Sequence, residues 1–289
     1  MTTTITVAPR LVTDRCPAPI RPARGWVPTV GDVDVDGTTV YISGGASGLG
    51  AATAERLAAA GATVGVLDLD AEQGRQLADR IGAAFVRCDV TSAESAESAF
   101  SELGDQIGPP RVAIACAGVG AGRKMIGRSG PHPLDAFERV VVVNLVGVFN
   151  VVRLAAWAMS ELDPLAPDGE RGVIITTASI AATDGVDGGV AYSASKGGVR
   201  AMTLPLARDL APWGIRAVSI SPGSFDTPLV AGMPQAYIEQ MAATTPFPPR
   251  LGAPPEFAML CEHVIVNPMI NGADLRIDGG MRMTPSGLR

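Results

Sequence analysis

Histidine is almost missing from this sequence, with only His132 and His263 in 289 residues, so a histidine-based metal site or nucleophilic triad has little to draw on. Cysteine is scarce as well. Cys16, Cys88, Cys116 and Cys261 form no CxxC pair and no ligand-like cluster with the histidines, which points to reduced thiols, a cytosol-like compartment and no bound metal. Lys124 and Lys196 are the only lysines among 23 basic residues, an arginine bias that leans the reading toward a bacterial source and a cytoplasmic location. Positive charge is also outnumbered, 23 against 29 acidic residues for a net charge of -6. That balance argues against a phosphate-tracking nucleic-acid surface and a broad face for anionic membranes. Aromatics at 4% speak against an all-β sandwich. The longest apolar stretch, VVVNLVGVFNVVRLAAWAM from Val140, is broken by Asn144, Asn150 and Arg153, so it reads as a core helix and not a lipid-facing span. Residues 1–35 lack the apolar segment of a secretory signal and contain no serine, and their prolines oppose the amphipathic helix of a mitochondrial presequence. They read as an N-terminal extension, unordered or packed on the surface.

What is abundant is glycine, at 34 copies, together with 47% hydrophobic residues, enough to bury a substantial core. From residue 36 to 289 short β-branched runs alternate with Ala/Leu-rich stretches, without internal repeat or long linker. The runs 38–43, 63–68, 84–87, 112–116, 173–177, 215–220 and 274–277 are apolar and non-alternating, the pattern of parallel strands covered on both faces. Helices are expected near 49–60, 71–80, 92–103, 134–161, 191–211 and 255–266. With right-handed crossovers this predicts an α/β fold, one doubly wound parallel sheet of about seven strands with helices on both faces.

The first strand runs into SGGASGLG, Ser43 to Gly50, and then directly into a helix. Glycines at 44, 48 and 50 remove side chains where a pyrophosphate would approach backbone N–H groups at a helix N-terminus. A tight turn that binds nothing would look the same, so the context matters. Strand two ends at Asp68, eighteen residues beyond Gly50, near the roughly 20-residue spacing of a ribose-binding acid. A carboxylate there would repel a 2′-phosphate and favour NAD over NADP; a helix cap is the plainer role for an aspartate in this position. Tyr192 and Lys196, four apart in YSASKGG, share a helix face. An ammonium beside a phenol favours phenolate and so lowers the tyrosine pKa toward working pH, as carbonyl–alcohol interconversion requires. Ser179, just past the strand VIITT, can hydrogen-bond the same substrate oxygen.

These residues resemble the short-chain dehydrogenase/reductase family over about residues 36–289. The likeness rests on SGGASGLG, Asp68, CDV at Cys88 to Val90, ACAG at Ala115 to Gly118, the set Asn144, Ser179, Tyr192 and Lys196, and SPG at Ser221 to Gly223 followed by Thr227. It implies that NAD is held by Gly44, Ser47, Gly48, Leu49, Gly50, Asp68, Asp89, Val90, Ala117, Gly118, Tyr192, Lys196, Pro222, Gly223 and Thr227. It implies that Tyr192 exchanges the proton, Ser179 polarises the carbonyl or hydroxyl, Lys196 binds the nicotinamide ribose, and Asn144 holds a proton-relaying water.

Within the family the chain is similar to the type 2 3-hydroxyacyl-CoA dehydrogenase subgroup, through VNLVGVFNVVRL, RGVIITTAS, PFPPRLGAPPEFA and NPMINGADLRIDGGMRM. The implied activity is reversible oxidation of L-3-hydroxyacyl-CoA, with a homotetramer as the implied assembly and the mitochondrial matrix as the alternative compartment. The loop carrying Arg123, Lys124 and Arg128 then becomes a candidate for the phosphates of an acyl-CoA, although exposed cations also serve solubility. The chain departs from the pattern at Ala115, where the family has asparagine, and at Val186 and Gly189, where the nearest relatives are expected to have glutamines. The region MPQAYIEQMAATTPF is expected to form a mobile lid. An NAD-dependent alcohol or hydroxysteroid dehydrogenase, and more remotely a non-catalytic cofactor-binding scaffold, remain as alternatives.

Overall fold

The computed structural model describes residues 33–120, 122–128 and 130–283. Most of the expected N-terminal extension, with Cys16, therefore lies outside the described residues. Val33 and Val35 do not behave as extension: both are buried in the core, so domain packing starts a few residues before position 36.

The chain alternates β1 (Thr39–Ser43), α1 (Gly48–Ala59), β2 (Thr63–Asp68), α2 (Ala71–Ile81), β3 (Ala84–Arg87), α3 (Ala93–Ile107) and β4 (Val112–Ala115). It continues through α4 (Leu134–Ser160), β5 (Gly172–Thr177), α5 (Val190–Leu210), β6 (Ile215–Pro222), α6 (Gln235–Ala243), α7 (Pro254–Val266) and β7 (Asp274–Ile277). The seven strands form one parallel sheet in the order β3-β2-β1-β4-β5-β6-β7, as the apolar runs predict.

Their lack of alternation has a direct cause. Val40 and Ile42 of β1 enter a cluster with Leu57, Phe257 and Val264 on one face, and Tyr41 enters another with Leu67, Leu103, Val151 and Ile174 on the other. Successive side chains point to opposite faces of the sheet, and here both faces are covered. Strand order reverses between β1 and β4, which leaves a crevice at the carboxyl ends of the strands, the usual ligand position in an open α/β sheet.

Two expectations are refined. The expected helix 134–161 is not uniform, because Val142–Gly147 is a π-helical turn set between α-helical halves. The helix is long and apolar enough to cross a bilayer, yet its two asparagines and Arg153 are all hydrogen-bonded within the fold. The expected mobile lid holds regular structure, α6 preceded by the one-turn helix Pro228–Ala231.

Candidate active site

The turn between β1 and α1 needs its glycines for different reasons. Gly44 has φ +66°, and a Cβ there would stand 2.5 Å from the Ala117 nitrogen. At Gly50 a Cβ would lie 2.1 Å from the Gly44 oxygen, so the helix can approach the turn only without one. Gly48, at φ +54°, would meet only Thr227 and Pro228, at 3.5 Å. Ser47 makes no side-chain cap and the first turn of α1 carries no acid, so the N–H groups there are left for an anion. These residues fit the pyrophosphate of a dinucleotide. Leu49 and the first turn of α1 follow in the same cradle.

Asp68 ends β2 with one carboxylate oxygen accepting from the Ala46 N–H at 3.0 Å and the other from the Asp70 N–H at 3.0 Å. The cap of α2 is Asp70, whose side chain accepts from Glu72 and Gln73, so Asp68 is not the helix cap. It is tied to the glycine turn, with lone pairs remaining for ribose hydroxyls. Asp89 is turned to Thr91, accepting from its N–H and hydroxyl at 2.9 and 2.7 Å, which holds its carboxyl below the usual range. The neighbouring Val90 carbonyl accepts from Asn150 at 2.9 Å. Thr227, close over Gly48, brings the segment that begins at Pro222 and Gly223 onto the same cradle.

Asn144 lies in the π-turn of α4 and is fully buried. Its Oδ1 accepts from the Val119 N–H at 2.7 Å, and its Nδ2 donates to the Val119 carbonyl at 2.9 Å and to Ser195 Oγ at 3.2 Å. Ser195 in turn donates to the Tyr192 carbonyl at 2.8 Å. The amide therefore locks the chain just past Ala117 and Gly118 to α5. Its Nδ2 hydrogens both go to protein partners, Val119 and Ser195.

Lys196 is buried and donates from Nζ to the Thr177 carbonyl at 2.7 Å, with Nζ 5.9 Å from the Tyr192 ring centroid. Burial pulls the ammonium down to about 8. The phenol departs from the sequence-based expectation: burial of Tyr192 raises it above its ordinary value, opposed by a hydrogen bond with Ser179. Desolvation outweighs that hydrogen bond because burial disfavours the phenolate directly. Ser179 also accepts from the Ala181 N–H at 3.1 Å, which fixes its hydroxyl beside Tyr192. The pair Ser195 and the Thr177 carbonyl escaped the motif reading. Ser195 stood inside YSASK, but nothing in spacing tells a bonded serine from a bystander.

Arg123, Lys124 and Arg128 lie on the connection between β4 and α4, around a small ribbon pairing Ile126–Gly127 with Gly130–Pro131. All three side chains are exposed and none pairs with a carboxylate among the described residues. The Arg123 N–H donates to the Gly188 carbonyl at 2.8 Å, which docks this cationic loop on the segment just before Tyr192. Val186 and Gly189, in that segment, are coupled: a Cβ on Gly189 would lie 2.3 Å from Val186 Cγ1. The valine fills the space a side chain at 189 would need. Ala115 is buried in β4, in register with Ser43 and Thr176.

Residues 38–237 match the family model described as short chain dehydrogenase. The chain is 47% identical over 255 residues to the 3-hydroxyacyl-CoA dehydrogenase type-2 of Bos taurus, covering 87% of this chain and 97% of that protein. The human protein of the same name is 46% identical over 255 residues, with the same coverage. A crystal structure of 3-hydroxyacyl-CoA dehydrogenase type-2 from Mycobacterium avium superposes with a TM-score of 0.82 at 40% identity, covering 88% of this chain and all of that one.

Proposed function

The chain belongs to the short chain dehydrogenase family and is an oxidoreductase, and from that premise we propose that it interconverts L-3-hydroxyacyl-CoA and 3-ketoacyl-CoA with NAD as hydride partner. The observation that carries the reading is the Ser179 hydroxyl beside Tyr192, with Lys196 buried and its Nζ 5.9 Å from the ring centroid. A tyrosine so placed takes the hydroxyl proton of a substrate as phenolate during oxidation and returns it as phenol during reduction, while Ser179 donates to the oxygen that changes between hydroxyl and carbonyl. NAD supplies the hydride acceptor, and its reduced form the donor. Gly44, Gly48 and Gly50 would hold its pyrophosphate, Asp68 its adenosine ribose, Lys196 its nicotinamide ribose, and Pro222, Gly223 and Thr227 its nicotinamide end. Lys196, anchored on Thr177, keeps a positive charge beside the phenol and favours the phenolate at the moment of proton transfer.

Three things support the acyl-CoA reading over an apolar alcohol or steroid: the names of the relatives, the exposed cations Arg123, Lys124 and Arg128, which have no carboxylate partner among the described residues, and the loop's tether to Gly188 a few residues before the proton-transfer residue. Asp68, with no cation in the glycine turn, supports NAD over NADP. A homotetramer is in keeping with exposed Val142, Val146, Phe149 and Trp157 on α4.

The test is loss of reduced-nicotinamide absorbance when purified protein meets acetoacetyl-CoA with NADH or with NADPH. Rapid loss with NADH and little with NADPH is expected; activity confined to NADPH would overturn the Asp68 reading, and no activity with either would overturn the thioester. Reversing the charge at Arg123, Lys124 and Arg128 should raise the acyl-CoA KM by about tenfold or more, since one charge-assisted contact carries roughly 1.5–3 kcal/mol. An unchanged KM would move the phosphates elsewhere.

A further inference from the structure

Ser179 follows the end of β5 and precedes a short helix that packs against α5. The Ala178 and Ile180 N–H groups reach the Ile220 and Pro222 carbonyls of β6 at 2.8 and 3.1 Å, and the chain then makes only the four-residue helix Ala181–Asp184. A helix of one turn does not sustain itself. What holds its far end is Arg276 on β7. One guanidinium nitrogen donates to Thr183 Oγ1 at 2.8 Å and Asp184 Oδ1 at 2.9 Å, and another to Asp184 Oδ2 at 3.0 Å. The remaining contacts go to Asp278 Oδ2, from Nε at 2.8 Å, and to the Met281 carbonyl at 3.1 Å.

Asp184 also accepts from the Met283 N–H at 3.2 Å, which brings the C-terminal segment into the same cluster. The Asp184 and Asp278 side chains are each 9% exposed and Arg276 25%, so this is not a solvated surface pair of negligible value. The fork geometry on Asp184 fixes direction as well as distance.

The other side of the cluster meets the cofactor wall. Gly223 donates to the Ile277 carbonyl at 2.9 Å, and a Cβ on Gly223 would lie 2.9 Å from the Cβ of Asp278. Arg276 thus spans the distance between the turn that carries Ser179 and the turn at Pro222–Gly223. The first turn holds the substrate oxygen and the second the nicotinamide end in the function proposed above, on which this inference rests. We infer that Arg276, acting with Asp184 and Asp278, is a positioning residue that sets the separation between the Ser179 hydroxyl and the Gly223 wall. It touches neither substrate nor cofactor.

Arg276→Lys keeps the charge and loses the fork; Asp184→Asn keeps the shape and loses the charge. Each is compared with the unaltered protein for Tm, NADH affinity, kcat and KM with acetoacetyl-CoA, and for phenolate absorbance on alkaline titration, taken as a difference against the same protein carrying Tyr192→Phe. In both variants kcat should fall about 10- to 100-fold, the cost of a misplacement near 1 Å, with NADH affinity kept. The Tyr192 phenolate should appear at higher pH, because the opposing hydrogen bond from Ser179 is weakened while Lys196 stays in place. Added guanidinium should restore part of the turnover of Arg276→Ala. A folded variant with the original kcat and the original phenolate titration overturns the inference, as does a kcat loss that merely follows a lowered Tm. Should Arg276→Lys fail to fold, Thr183→Val, which removes one Arg276 contact along with the hydroxyl's bonds to Ile180 and Asp184, is read in the same way. If the unaltered protein turns over no acetoacetyl-CoA, the thioester reading has failed, and the phenolate titration, which needs no substrate, still decides the role of Arg276.

Discussion

Lys196 carries its charge to a place water does not reach, with the Thr177 carbonyl at 2.7 Å as acceptor. Its pKa of about 8 is the measure of that cost. A lysine lowered from its unfolded value of about 10.4 destabilises the folded state wherever it is charged, and the penalty eases only as pH rises through the interval between the two values. Lys196→Met should therefore raise the Tm of the cofactor-free protein at neutral pH by a few degrees while lowering turnover about 10²- to 10⁴-fold, the usual worth of a well-placed proton-transfer system. A scanning thermal melt beside a kinetic assay checks both halves. The same residue shows what sequence can and cannot reveal at this scale. Tyr192, Lys196 and Ser179 were legible because their chemistry demands those residue types close together. The direction of the Tyr192 shift was not, since it depends on how much water the folded site excludes.

At the scale of elements, strands announced themselves almost to the residue, because a strand covered on both faces is predominantly apolar along its length. The π-turn in α4 did not. VVNLVG has no sequence feature that separates it from an ordinary apolar helix; what makes the turn recognisable is that it carries Asn144 to Val119 and Ser195. Ion pairs between distant segments are equally hidden, as with Asp184 and Arg276, 92 positions apart. Another such pair joins β6 to the segment that leads into β5: Arg216 is buried against Glu170 at 2.8 Å. Its guanidinium also donates to the Val264 and Ile265 carbonyls at 2.8 Å, at the end of α7, and to the Asn267 and Ile270 carbonyls at 3.2 and 3.0 Å just beyond. One side chain thus satisfies a helix end, the loop after it and a buried carboxylate. Arg216→Met should cost about 3–5 kcal/mol, the scale seen when one partner of a buried pair is removed, and denaturant unfolding measures it. Arg216→Met together with Glu170→Met should recover part of the loss.

Across the whole molecule, acid sensitivity follows from its carboxylates. Arg276 holds Asp184 down to about 2, and Arg250 with the Ala253 N–H holds Glu256 down to about 2. Both lie below their unfolded values, so the stability they add is complete above about pH 4–5 and is lost as pH falls toward 2. For the nearly buried Asp184 this is ~2 kcal/mol; for Glu256, more exposed, solvent reduces it. The Tm gap between the unaltered protein and Asp184→Asn should close as pH is lowered from 6 to about 2.5; a gap independent of pH would mean that packing and not charge makes the difference. The site residues and the Arg216 cluster occupy opposite poles of the sheet. Ser43–Gly50, Asp68, Ser179 and Pro222–Gly223 follow the carboxyl ends of strands, whereas Glu170 and Arg216 sit where β5 and β6 begin. A lineage descended from this chain can therefore revise the loops that choose a substrate without disturbing the end of the sheet that keeps its descendants folded.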